Sequence, residues 1–116
     1  MARYIALIYS SETADPAEGS GDEKDMLAGY ARFGQVAGER GALQGGERLR
    51  PSNEAKTVRV QGGKTVAVDG PFAETREQLG GFYLLDCKDE REAIELAAMI
   101  PAAQHGSVEL RPIWEM

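Results

Sequence analysis

The side chains best equipped for chemistry gather in the second half of the chain. Asp69 ends an apolar alternation and is followed by Gly70, Pro71 and Phe72, with Glu74 and Glu77 close behind. A carboxylate at the end of a buried strand is desolvated, which raises its pKa and suits it to act as an acid or base. The same residues also read as plain turn chemistry: Asp accepts backbone N–H bonds, Gly supplies an unusual φ and Pro fixes the next one. Both readings stand on the residues alone. Glu109 and Arg111, two apart in an alternating run, share one strand face opposite Val108 and Leu110. A guanidinium there either holds a carboxylate ligand through two parallel hydrogen bonds or pairs with Glu109 or Asp69. Glu74 and Glu77 share a face if "ETREQL" forms a helical turn.

Other chemistry is thinly represented. His105, the single histidine, falls in the polar stretch "AAQHGS", and the single Cys87 lies in an apolar strand where burial raises its thiol pKa. No cluster with metal-ligand spacing is visible, and no glycine-rich nucleotide motif follows a strand, so neither metal nor cofactor is expected. Thirteen basic residues against nineteen acidic ones give a net charge of −6, which repels phosphate backbones and argues against direct nucleic-acid binding. No apolar run approaches the roughly 20 residues of a membrane span. The opening "MARYIALIYS" has too short an apolar core for a signal peptide and no small-residue cleavage site, so a cytoplasmic location is expected.

The elements that must position these groups follow from periodicity. Tyr4 to Tyr9 is a continuous apolar run that reads as a central strand buried on both faces. After the polar segment Ser10 to Gly21, the residues Met26, Leu27, Tyr30, Phe33 and Ala37 make one helical stripe, boxed at its start by Ser20 and Glu23 and ended at Gly41. "LQGGERLRPSNEA" reads as loose. Thr57 to Val60 and Thr65 to Val68 alternate around a Gly62-Gly63 turn, a β-hairpin. Phe82 to Cys87 is a further apolar strand. Asp89 caps a helix with Ile94, Ala97 and Ala98 turned inward and Pro101 as its stop, and Val108 to Arg111 is a last strand, where Pro112 means that the ladder is ending or lies at an edge.

The order of strand, helix, hairpin or strand, strand, helix, strand predicts an α+β domain of ferredoxin-like, split βαβ topology, with two helices on one face of an antiparallel sheet and a single domain over 1–116. Strands apolar on both faces predict a homodimer packed sheet on sheet, with a cleft at that face.

The stretch "VDGPFAETREQLGGFYLLD", a helix ending at "AAMIP", then "GSVELRPI" and the opening "MARYIALIY" together resemble the DGPF branch of the YCII-related proteins across nearly the whole chain. That resemblance implies a bacterial, cytoplasmic, dimeric α+β barrel. Some similar proteins stand beside or are fused to extracytoplasmic-function sigma factors, which implies a sigma-factor association. Others carry a His-Asp pair in a cleft, and at least one is a dehydrochlorinase acting on a quinone-type ring. This chain departs from the second pattern, since Tyr30 and Phe33 hold the early helical stripe and His105 lies far downstream. The expected function is therefore a small-molecule-binding or regulatory homodimer, with Arg111, Glu109, Tyr30 and Glu77 as candidate ligand-binding residues. The alternative is a cofactor-independent enzyme acting on an aromatic or quinone-like substrate, with Asp69 as acid or base.

Overall fold

The computed structural model describes residues 2–14, 16 and 18–116. Its strands are β1 (Ala2–Ser10), β2 (Leu43–Arg48), β3 (Lys56–Gln61), β4 (Lys64–Asp69), β5 (Gln78–Cys87) and β6 (Ser107–Pro112). Its helices are α1 (Gly21–Glu39), α2 (Glu90–Ala98) and the short α3 (Ala102–His105). Four strands form an antiparallel sheet in the order β2-β5-β1-β6, while β3 and β4 pair only with each other. With that hairpin set aside, β1-α1-β2-β5-α2-β6 is the split βαβ of a ferredoxin-like α+β fold.

Local chemistry sets the helix ends. The Ser20 hydroxyl accepts the Glu23 N–H at 3.0 Å, and the Glu23 carboxylate reaches back to accept the Gly19 N–H at 2.9 Å. At the far end Gly41 takes φ +68° and its N–H bonds to the Gly38 carbonyl, while the Ala42 N–H bonds to that of Ala37. This is a Schellman stop that drops buried Ala42 into the core. Asp89 caps α2 by accepting the Glu92 N–H at 2.9 Å. That cap sets the phase of α2 so that Ala93, Leu96 and Ala97 face inward, followed by Ile100 beyond the helix. Of the three residues expected inward only Ala97 is buried. Ile94 is 55% exposed and Ala98 lies on the solvent side, because the buried stripe begins one residue earlier than the hydrophobicity of Ile94 suggests.

One face of the sheet carries Tyr4, Ala6, Ile8, Leu85 and Cys87, which pack against Phe33, Ala37, Leu96 and Ile100 in a continuous core. On the other face Ile5 and Leu7 stand opposite Leu84 and Phe82, all half-buried, with Arg111 and Glu109 across from them on β6. β1 is thus closed on one side and apolar but partly open on the other. Val108 and Leu110 pack on the helix side, which sets Glu109 and Arg111 on the other face, as alternation requires.

Two expectations are corrected. The segment read as loose contains β2, and the hairpin read as a candidate sheet strand stands apart from the sheet. β2 escapes the pattern because it carries Gly45 and Gly46 where alternating apolar side chains would announce a strand. A methyl group at Gly46 would come within 2.6 Å of the Phe82 carbonyl oxygen and of Tyr83 Cδ1, and one at Gly81 within 2.9 Å of the Glu47 carbonyl oxygen. The backbones of β2 and β5 approach too closely there for any side chain. The hairpin itself has the expected turn, with Gly62 and Gly63 at φ +58° and +78°. Among the described residues no helix is long and apolar enough to cross a membrane.

Candidate functional site

A cavity of about 580 Å³ opens between the first half of α1 and the sheet, a size suited to a small organic molecule. Its apolar walls come from Ile8 on β1, Met26, Leu27 and Tyr30 on α1, and Tyr83 on β5. Gly46, Gly80 and Gly81 make the space, since side chains at these sheet positions would otherwise fill part of it. The first turns of α1 carry few large residues that bury, so that half of the helix roofs the cavity instead of sealing onto the sheet.

Polar groups collect at the mouth, where β1 and β2 end and β5 begins: Ser10, Glu12, Glu47, Arg48, Arg50 and Gln78. Glu12 accepts hydrogen bonds from both the backbone N–H and the hydroxyl of Ser52, the former at 2.7 Å. The Ser52 side-chain bond, then its backbone bond, hold the Glu12 carboxyl below its ordinary pKa. The Arg50 Nε donates to both oxygens of Glu54, at 3.0 and 3.1 Å. Among the described residues Arg48 has no such carboxylate partner. Deeper in, Tyr83 lies against Phe33 with ring centroids 4.6 Å apart, and burial pushes its hydroxyl pKa up.

Of the residues singled out from sequence, Tyr30 lines this cavity. Asp69 does not. It sits at the end of the detached hairpin with its side chain 85% exposed, so the desolvated strand end invoked for acid–base work is absent. Its partner is the Lys56 ammonium across the hairpin, and not the turn amides. Of the turn reading the glycine part holds, with Gly70 at φ +103° and its N–H bonded to the Ala55 carbonyl, whereas the carboxylate's expected role of accepting turn N–H bonds does not. Glu109 and Arg111 do share the open sheet face, 3.9 Å apart, but Arg111 is 69% exposed and does not line the cavity between α1 and the sheet. Glu77, in the bend just before β5, accepts from the Ser107 hydroxyl at 2.9 Å, and "ETREQL" forms no helical turn. It borders a second, shallower hollow together with Thr75, Arg76 and His105, which is the last residue of α3.

The arginines of "GGERLR" and Glu12 were missed from sequence. The signal available was a pair of arginines spaced two apart just after two glycines, a strand end with room beside it. It was masked because the strand was not recognised.

Residues 2–116 match the YCII-related domain family, and the chain belongs to that family. It is also 37% identical over 112 residues to an uncharacterised protein, R00369, of Rhizobium meliloti (strain 1021), an alignment covering 95% of this chain and 90% of the relative.

Proposed function

We propose that this YCII-related domain binds a small molecule that joins an apolar ring or chain to a single acidic group, in the cavity between α1 and the sheet. Arg48 carries the reading: it is a guanidinium at the cavity mouth without an ion pair among the described residues, while neighbouring Arg50 is already engaged by Glu54. The acidic group takes the fork of Arg48, and the ring lies on Ile8, Met26, Tyr30 and Tyr83. Arg48 thus fills the role that alternation assigned to Arg111. Binding without turnover fits the other polar groups, because Glu12 is held ionised by Ser52 and is a poor proton acceptor for neutral-pH chemistry.

The test is calorimetry with a panel of aryl carboxylates and their neutral amides against the parent and Arg48→Gln. Carboxylates bind the parent, and Arg48→Gln weakens them by about 10- to 100-fold, the equivalent of a charge-assisted hydrogen bond of about 1.5–3 kcal/mol. Equal binding by both proteins removes Arg48 from the site. Consumption of a bound ligand moves the balance to the alternative, an acid–base enzyme for aromatic or quinone-like substrates.

The working form in this proposal is a homodimer joined through the open sheet face. Ile5, Leu7, Phe82 and Leu84 give that face an apolar centre ringed by charge, the arrangement of a buried interface. Light scattering should return about twice the 12.5 kDa chain mass.

A further inference from the structure

We infer that the β3–β4 hairpin is an association arm that lies along the acidic rim of the open sheet face of a second copy of this chain. The inference builds on the proposed homodimer and adds a contact which face-to-face pairing does not by itself require.

The first observation is exposure. Val58 is 62% exposed, Val60 71% and Phe72 78%, and β3 and β4 join no other strand among the described residues. The Arg59 guanidinium stacks over the Phe72 ring at 5.2 Å, but the hairpin's valines face solvent, and a two-stranded hairpin so little covered is marginally stable in water, so this one, with its well-formed Gly62-Gly63 turn, lacks a partner. The second is shape. The radius of gyration is 16.0 Å against about 13 Å for a compact domain of this length, and the molecule is a slab of 48 × 43 × 18 Å. The arm leaves the sheet where β2 ends and β5 begins. In a slab only 18 Å thick it extends sideways and cannot fold over its own open face.

The third observation is charge, and it selects the occupant. Lys56, Arg59 and Lys64 against Asp69 give residues 56–69 a charge of +2 within a chain of −6, so the remainder carries −8. A positive, apolar arm is complementary to the body of its own kind. The register sets Glu47 level with Phe82, Asp86 with Arg3, and Glu109 with Leu7, so acids border the apolar centre of the open face. One of them, Asp86, has a carboxylate oxygen that is shielded from solvent and unbonded among the described residues. Of the arginines on that face, Arg3 is already occupied by Glu115 and Gln44, and Arg111 lies 3.9 Å from Glu109. An arm bearing Arg59 and Lys64 brings cations to that rim, beside Glu47 and Asp86.

The experiment is hydrogen exchange on the full chain over a dilution series, with oligomeric state followed by light scattering, for the parent and for Val60→Glu. Amides of 56–69 should be protected while the protein is dimeric and lose protection on dilution. Val60→Glu should raise the dissociation constant by at least about 10-fold, equivalent to about 1.4 kcal/mol. Because Val60 is exposed within one chain, the substitution should leave the melting of the diluted monomer unchanged. A dimer whose arm exchanges freely and ignores Val60→Glu overturns the arm but spares face-to-face pairing. A chain monomeric at every concentration overturns both.

Discussion

The sheet body and the β3–β4 arm use much the same residues to opposite ends. Both have valine-rich or leucine-rich strands, and both have glycines at tight places. In the body, Leu85, Leu96, Phe33 and Ile100 are fully buried against one another. In the arm, the valines meet mainly water. Alternation and a glycine pair are enough to make strands and a turn, but they do not say what a strand lies against. Stability belongs to the body, and within the single chain the valines of the arm contribute little to it.

That division can be attacked directly. Leu96→Ala and Phe33→Ala should each cost about 3–5 kcal/mol in urea unfolding, because a fully enclosed side chain leaves a cavity the neighbours cannot refill. Val60→Ala measured on the monomer should move stability by less than about 0.5 kcal/mol, as for an ordinary surface site. If the valine change matches the leucine one in a monomer, the arm packs on its own body and the contrast collapses.

A smaller effect is expected at the β2–β5 seam. Gly81→Ala sets a methyl 2.9 Å from a carbonyl oxygen in the backbone and should destabilise by about 1–3 kcal/mol, seen as a lower midpoint of thermal unfolding. Ser20→Ala removes the α1 cap and should cost about 1 kcal/mol, with Ser20→Asp restoring most of it. Asp69→Ala on the arm breaks an exposed ion pair and should cost no more than about 1 kcal/mol. A larger loss would show that the carboxylate does more than pair with Lys56.

The smallest expected effect is that of acid on the cavity mouth. Glu12 has a folded pKa below its ordinary value of 4.5, so its contribution is complete above that value and disappears as pH falls through the lower, folded one. Melting temperatures between about pH 3 and 5 should fall less steeply for Glu12→Gln than for the parent. An identical slope would mean that the bond to Ser52 adds nothing to folding.

What could be read ahead of the structure divides along physical lines. Helix caps at Ser20 and Asp89, the glycine stop at Gly41 and the Gly62-Gly63 turn are local chemistry, and each stands where its residues placed it. β2 was illegible because the glycines that let it approach β5 erase the alternation that marks a strand. The position of Asp69 was misjudged for a related reason, since a strand-like run does not disclose whether the strand joins the main sheet. Tyr30 was reachable from the α1 stripe. Arg48 was not, because its importance comes from a cavity formed by glycines distant in sequence and from the engagement of its neighbour Arg50 with Glu54.

Gly29 and Pro101, far apart in the chain, constrain the order in which this sequence is able to drift. A methyl at Gly29 would meet Pro101 Cγ at 2.9 Å but Cβ at a comfortable 3.8 Å. The change Gly29→Ala is thus obstructed while proline stands opposite and is admitted once Pro101→Ala has occurred, after which α1 gains about 1 kcal/mol in helix propensity. The route that changes Pro101 first passes through an intermediate that loses only the proline's restraint on the unfolded chain, about 0.4–1 kcal/mol. The route that changes Gly29 first passes through a clash. Lineages in which alanine has replaced Gly29 are therefore expected to have lost Pro101 beforehand, so the two positions carry a direction in time as well as a contact in space.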